Sequence, residues 1–300
     1  MIFHPSIKLA LSHNFSRFIR DDLMTGCFEN IEISTTSKCN ADCECCFYRN
    51  ENHKDADISI ENLGLFLSKC DAKAVTWTGG GEPTLHPGFG GLVDTACSLM
   101  YKQGLITNGL KEVEFDISKM SWIRVSMTNK PMNQDLIIKY KSKCEIVGLC
   151  INYTGSRDLQ LIWDCYEFAQ KYNLDYVQVR PAVNLKGEYT YIEPPMFIGD
   201  KLEITYYKFE DCRKDRDYNK CYGFNFVPFI WETGEVHACA YHYGDDRFKI
   251  GDINKNTAFE IMNACPRYVN VVNTCQICCK NHETNKFINY GLKIKNKEFM

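Results

Sequence analysis

Cysteine is the residue type whose spacing in this sequence could do chemistry. Cys39, Cys43 and Cys46 stand at C-x3-C-x2-C within Cys39-Asn-Ala-Asp-Cys43-Glu-Cys-Cys46. One tight loop with that spacing can wrap three corners of a cubane iron–sulfur cluster and leave the fourth iron without a protein ligand. A metal site with a vacant position is a reactive one, as the contrast between closed structural and open catalytic zinc illustrates. A small chelating cofactor is the natural occupant. The same three residues could instead belong to a zinc knuckle, or hold a cluster with no catalytic part. A second group, Cys221, Cys239, Cys275 and Cys278, would complete a four-cysteine cage, and a closed cage is normally structural. Spacing alone does not choose between a four-iron cluster and zinc there. Nor does it fix the set, since Cys279 could replace Cys278, and Cys265 or Cys212 could enter elsewhere.

Composition supports metal over disulfides. The chain has 17 cysteines in 300 residues, an odd number, and opens on Met1-Ile-Phe-His-Pro with no secretory signal. A disulfide framework is therefore not expected, and the cytoplasm is the expected compartment. No apolar run reaches the length of a membrane span. Apolar content of 45% implies a globular chain with a sizeable core. A net charge of −3 supplies no broad cationic surface for nucleic acid or anionic membrane. Cys70, Cys97, Cys144, Cys150 and Cys165 read as small hydrophobes on helices and strands.

The elements that must position these cysteines alternate. An amphipathic helix is expected over Leu9–Leu23 in a helical leader, 1–29. A strand at Ile31–Ser34 delivers the chain to the cysteine loop, and a helix at Ile60–Cys70 follows. A strand at Ala74–Thr78 then runs into Gly79-Gly-Gly-Glu82-Pro. Next come a helix (Leu92–Gln103), strands at Leu105–Thr107 and Trp122–Met127, a helix (Gln134–Lys141) and a strand (Glu145–Ile151). A long helix (Leu159–Tyr172) and a strand (Tyr176–Arg180) complete the alternation. Repeated βα units imply parallel strands with right-handed crossovers. Six strands fit an α/β fold of the partial (β/α)6 barrel type over 30–182, with its chemistry at the carboxyl ends of the strands. The cysteine loop, the glycine run, Thr107-Asn108-Gly109, Ser126 and Arg180 all fall at such ends. A bridge, 183–220, loses clear alternation. From 221 to 282 a small cysteine-rich unit is expected: β-prone runs Phe224–Trp231 and Glu235–Ala240 around the turn Glu232-Thr-Gly234, then a helix at Ala258–Asn263. A tail, 283–300, ends the chain.

Taken together, the triplet, the glycine–glutamate run 33 residues after Cys46 and the downstream cage resemble the radical S-adenosylmethionine (SAM) enzymes over residues 30–280. The resemblance implies that Cys39, Cys43 and Cys46 bind a 4Fe-4S cluster whose free iron takes SAM. It implies that Gly80, Gly81 and Glu82 hold the SAM amino group, that Ser126 contacts its ribose and that Arg180 pairs with its carboxylate. The layout C-x12-G-x4-C, then Lys249-Ile-Gly-Asp-Ile, a helix and C-x2-C resembles the shortened auxiliary-cluster domain called twitch, related to the longer SPASM domain. One auxiliary 4Fe-4S cluster on Cys221, Cys239, Cys275 and Cys278 is the implication. The sequence departs from the family in one place, because Ser126 is followed by Met127-Thr-Asn129 where many relatives carry an Asp. Cys45 lies inside the loop at the wrong spacing for a ligand, Asn108 is expected to cap its loop near the cofactor, and His237 and His242 read as ordinary hairpin histidines.

The reaction implied is reductive cleavage of SAM to a 5′-deoxyadenosyl radical that abstracts hydrogen from a substrate, with flavodoxin or ferredoxin as electron donor. The tail cysteines are laid out most like those of radical SAM dehydrogenases acting on an amino-cyclitol alcohol. The 38 residues ahead of Cys39 read as too few for the winged-helix domain of many peptide-modifying members. Oxidation or rearrangement of a small sugar, cyclitol or nucleotide is therefore expected. Modification of a peptide or of a nucleic-acid base, and a non-catalytic metal-binding module, are the alternatives.

Overall fold

The computed structural model describes residues 5–21, 23–46, 48, 55–112, 114–128, 130–182, 193–196, 199–211, 216–272, 274–275, 278 and 280–294. Seven strands lie side by side in chain order, each parallel to the next: β1 (Asn30–Ser34), β2 (Ala74–Thr78), β3 (Lys102–Thr107), β4 (Trp122–Ser126), β5 (Ile146–Tyr153), β6 (Tyr176–Pro181) and β7 (Leu202–Ile204). Helices α1 (Pro5–Ala10) and α2 (His13–Arg20) precede them. Four more, α3 (Ile60–Leu67), α4 (Phe89–Ser98), α5 (Gln134–Lys143) and α6 (Leu159–Lys171), lie in the crossovers, and α7 (Tyr206–Asp211) follows β7. This is the partial barrel expected from the sequence.

Strand alternation separates two faces. Ile31, Ile33, Val75, Trp77, Leu105, Ile123, Val125, Val147, Leu149, Val177 and Val179 share one core with Leu63 and Phe66 of α3, Leu92 of α4, Ile137 of α5 and Phe168 of α6. That is the outer, helix-covered face. Register then puts Glu32, Thr76, Arg124, Ser126, Cys150, Asn152, Gln178 and Arg180 on the inner face. Polar side chains thus reach the barrel interior, beside the inward rings of Trp122 and Tyr176, which cover Gly104 and Gly148.

The chain then returns to the first strand. It forms β8 (Lys220–Cys221), β9 (Phe229–Ile230), β10 (Glu235–His237), β11 (Lys249–Asp252), α8 (Ala258–Ala264), β12 (Val269–Asn270) and α9 (His282–Lys293). β9 pairs parallel with β1 (Glu32 opposite Phe229), and β10 and β11 continue antiparallel. A ten-stranded sheet results, in the order β11-β10-β9-β1-β2-β3-β4-β5-β6-β7. β8 and β12 form a separate antiparallel pair. Among the described residues no helix is long and apolar enough to cross a membrane.

Four expectations on elements need correction. The helix expected over Leu9–Leu23 is broken, because the Ser12 hydroxyl accepts the Phe15 N–H and starts a new helix. The helix expected to run to Gln103 stops at Ser98, Met100 turns into the left-handed region (φ 63°), and Lys102 and Gln103 belong to β3. Gln103 is buried there, accepting from Trp77 Nε1 at 2.8 Å and donating to the Val93 carbonyl at 3.1 Å. Within the bridge, Leu202–Ile204 forms a strand parallel to β6. The run Phe224–Trp231 opens as a 3₁₀ turn (Gly223–Asn225), since Asn285 Oδ1 accepts the N–H groups of Tyr222 and Gly223.

Candidate active site

The cysteine loop leaves β1 at the carboxyl edge of the sheet and is tied to the glycine run that leaves β2. Glu82 N–H donates to the Lys38 carbonyl at 2.8 Å, and Thr35 Oγ1 donates to the Pro83 carbonyl at 2.9 Å. A Cβ on Gly81 would stand 2.3 Å from the Thr36 carbonyl oxygen and 2.5 Å from that of Lys38. Only glycine lets the two loops approach this closely. Inside the cysteine loop, Cys46 N–H donates to the Cys43 carbonyl at 3.1 Å, and Cys39 Sγ accepts from Ala41 N–H at 3.5 Å. Burial pushes the Cys39 and Cys43 thiols up, Cys43 to about 11, and the neighbouring cysteine sulfurs push them further. These thiols are therefore protonated at neutral pH, and a metal that binds them must displace protons.

Glu82 is fully enclosed and organises the strand ends. Its Oε1 accepts from Thr84 N–H, Thr84 Oγ1 and Thr107 Oγ1, at 3.3, 2.8 and 2.6 Å, and its Oε2 accepts from Asn108 N–H at 2.7 Å. Burial raises its pKa despite these four bonds. Oε2, with a single donor, is the oxygen that retains capacity for an ammonium group. Asn108 in turn donates to Asn40 Oδ1 at 2.8 Å and reaches Cys39 Sγ at 3.9 Å. Ser126, at the end of β4, shares a cleft with Asn108 and Lys130, and the Lys130 ammonium contacts the Asn40 carbonyl. Arg180 Nε donates to Asn152 Oδ1 at 2.7 Å, and Asn152 Nδ2 reaches Cys45 Sγ at 3.8 Å. Cys39, Cys43, Cys46, Gly80, Gly81, Glu82, Ser126 and Arg180 thus gather at one end of the barrel. Asn129 lies outside the described residues.

A buried link joins this end to the tail unit. Glu232, 1% exposed, accepts from Tyr48 OH (2.6 Å) and from Ser34 Oγ (2.7 Å), and Ser34 Oγ accepts Gly80 N–H (3.3 Å). Burial raises the Glu232 pKa. Sequence reading had no signal for this link, or for Asn152 and Lys130, because each depends on residues far apart in the chain.

In the tail, Cys221, Cys239, Cys275 and Cys278 line one cavity, with Arg216, Tyr218, His242, Lys280 and Asn285 around them. Asn285 Nδ2 donates to Cys221 Sγ at 3.2 Å, His242 Nε2 lies 3.1 Å from Cys275 Sγ, and Tyr218 hydrogen-bonds the Cys278 thiol. Lys280 Nζ pairs with Glu32 Oε2 at 2.7 Å, beside the Cys239 and Cys221 thiols. Burial pushes Cys221 up to about 12. Among the described residues no three cysteine, histidine or carboxylate side chains converge as a single metal ion would require. His242 does reach this cavity, contrary to the plain hairpin role expected, whereas His237 bonds the His242 carbonyl and lies beside Glu235. Cys265 is buried against Asn225, away from the cavity. Cys212 and Cys279 lie outside the described residues.

No protein-family model matches this chain, and no curated protein does. Among solved structures it is similar to Streptococcus suis SuiB bound to S-adenosylmethionine, with TM-score 0.59 and 12% identity over 87% of this chain and 70% of that one. SuiB bound to the precursor peptide SuiA gives TM-score 0.61 and 14% identity over 87% and 71%. Native anSMEcpe with bound AdoMet and Cp18Cys peptide gives 0.52 and 15% over 89% and 85%. At these identities the likeness establishes the fold.

Proposed function

From the fold it shares with radical SAM enzymes, we propose that this chain is itself a radical SAM enzyme. The observation that carries the reading is the locking of the cysteine loop to the glycine–glutamate run, through Glu82 N–H on the Lys38 carbonyl and the Cβ-free approach of Gly81. Cys39, Cys43 and Cys46 would hold a 4Fe-4S cluster. A cluster held there would supply the one-electron reduction of SAM that yields a 5′-deoxyadenosyl radical for hydrogen abstraction from substrate. The chain's own residues do the positioning. Glu82 Oε2 and the glycine backbone receive the amino group, Ser126 the ribose, and the Arg180 guanidinium forks onto the carboxylate.

Cys221, Cys239, Cys275 and Cys278 hold an auxiliary 4Fe-4S cluster in this reading, in a twitch-like unit spanning 221–282. The shared cavity, the thiol donors and the positive charges of Arg216 and Lys280 beside it support a cluster that can accept an electron. The substrate is a small sugar, cyclitol or nucleotide, consistent with the polar side chains on the inner face of the barrel, and the outcome is oxidation or rearrangement. Flavodoxin or ferredoxin supplies the electron, in the cytoplasm, where thiols stay reduced; the fifteen described cysteines are all free. A second reading, peptide modification, is favoured by the peptides bound in the SuiB and anSMEcpe structures.

The test is iron and sulfide content after anaerobic reconstitution, on the intact chain and on a variant with Cys39, Cys43 and Cys46 all changed to Ala. About eight irons falling to about four is expected, with 5′-deoxyadenosine formed from SAM and dithionite only by the intact chain. About four irons falling to none would remove the auxiliary cluster. Intact clusters that form no 5′-deoxyadenosine would sink the catalytic reading.

A further inference from the structure

We propose that Arg124, on the inner face of the barrel, takes an oxyanion of the substrate, so that the molecule acted on carries a phosphate or a carboxylate. What "substrate" means here rests on the radical SAM reading. The oxyanion site itself rests on separate observations.

Along β4 the outward residues Ile123 and Val125 are buried in the helix-covered core, while Trp122, Arg124 and Ser126 point inward and are half-buried. Ser126 stands at the strand end, among the residues gathered around the cysteine loop. Arg124 lies two residues deeper, about 7 Å along the strand, below the region the cofactor would fill. Its neighbours across the sheet are Ile106 and Gly148. Neither carries charge.

The guanidinium is poorly satisfied by the chain. Its NH1 group donates to Gln178 Oε1 at 3.2 Å, and its Nε is buried with no acceptor. Trp122 offers a ring face only at 6.0 Å. Among the described residues no carboxylate pairs with Arg124. Of the inner-face carboxylates, Glu32 is paired with Lys280 at 2.7 Å, and Glu203 lies opposite Gln178 on β7 with no ion pair to Arg124 among the described residues; Gln178 is neutral and also faces the Cys150 thiol at 3.7 Å. A half-buried cation without a counter-ion is costly, and chains rarely keep one for structure alone. Arg180, the other inner-face arginine, is bonded to Asn152 at the strand ends, where the cofactor carboxylate is expected. Among the described residues Arg124 is the inner-face arginine left over.

An arginine with unspent donors matches an oxyanion best, because its planar fork takes two oxygens of a phosphate or carboxylate at once. Glutamine 178 fixes one side of the group and leaves the other for the ligand. Ser126, two residues along the same face and lining a cleft, offers an anionic molecule a further hydrogen-bonding partner.

The experiment is calorimetric titration of the anaerobically reconstituted protein with SAM present, at fixed ionic strength. The probes are inorganic phosphate, acetate and neutral glycerol. The wild type is expected to bind phosphate or acetate and not glycerol, and whichever binds more tightly identifies the oxyanion. Arg124→Gln should weaken that binding about tenfold or more, the worth of one charge-assisted hydrogen bond. Arg124→Lys keeps the charge, loses the fork and should fall between the two, and it carries the test if the glutamine variant does not fold. Binding unchanged in both variants, no anion binding by the wild type, or glycerol binding as well as the anions would overturn the proposal. A wild type that binds the anion through Arg124 yet forms no 5′-deoxyadenosine would instead overturn the radical SAM reading and leave the oxyanion site standing.

Discussion

Changing Glu232 to Ala tests the link between the tail unit and the barrel end. The substitution removes the acceptor of two buried hydroxyls, Tyr48 OH and Ser34 Oγ. Each stranded hydroxyl costs about 1–3 kcal/mol, and the void left by the carboxyl group adds to it. A loss of roughly 3–5 kcal/mol follows. With an unfolding entropy of about 2.1 cal/mol/K per residue over this chain, melting should fall by about 5–8 °C. Glu232→Gln keeps the shape and one acceptor, and should cost about 1 kcal/mol at neutral pH. Its pH profile is more telling. Burial holds the Glu232 pKa above the ordinary value of 4.5. In the window between the two values the fold binds a proton that the unfolded chain releases, so stability falls as pH rises through it. The glutamine variant lacks this dependence. Wild type should therefore lose stability relative to Glu232→Gln as pH rises from about 4.5 through the raised value. Anaerobic thermal melts followed by circular dichroism across that range read both effects. An alanine variant melting within about 1 °C of wild type, or a gap that moves the other way with pH, would refute the reasoning.

Two further substitutions probe the same region. Gly80→Ala places a Cβ 1.8 Å from the Tyr48 ring, so the ring must move and release Glu232; equilibrium dialysis should show SAM affinity lowered about tenfold, and less in a Tyr48→Ala background if the clash is the cause. Lys280→Met strips the partner of Glu32, whose side chain is 26% exposed; a loss of about 2–3 kcal/mol is expected, below that of a fully buried pair. The same change removes a positive charge beside the Cys239 and Cys221 thiols, so a redox titration followed by electron paramagnetic resonance should show the proposed tail cluster at more negative potential. An unchanged potential would separate Lys280 from the cluster.

The barrel was legible because its strands are aliphatic on the covered face: Val75, Leu149 and Val177 announce themselves by type, and α5 and α6 by period. What escaped were positions where a single side chain outweighed the pattern. Ser12 restarts a helix, and Gln103 is a polar residue in a buried strand because its amide serves Trp77 and Val93. At the site, the cysteines and Gly81 were readable since their chemistry, or lack of a Cβ, is intrinsic. Tyr48 and Glu232 are 184 residues apart, and no local period can reveal such a partner. The pairing of Lys280 with Glu32, 248 residues apart, left no signal for the same reason.

The parallel pairing of β9 with β1 bears on how this chain is made. A ribosome releases β1 early, and its left-hand neighbour follows roughly 200 residues later, after most of the barrel has emerged. Until then the strand that leads into the cysteine loop carries a row of unsatisfied backbone groups, open to any extended segment that passes. Closing so long a loop is slow. A chain cut short before the hairpin would leave that edge as a template for self-association, so the tail protects the nascent barrel as well as presenting four thiols.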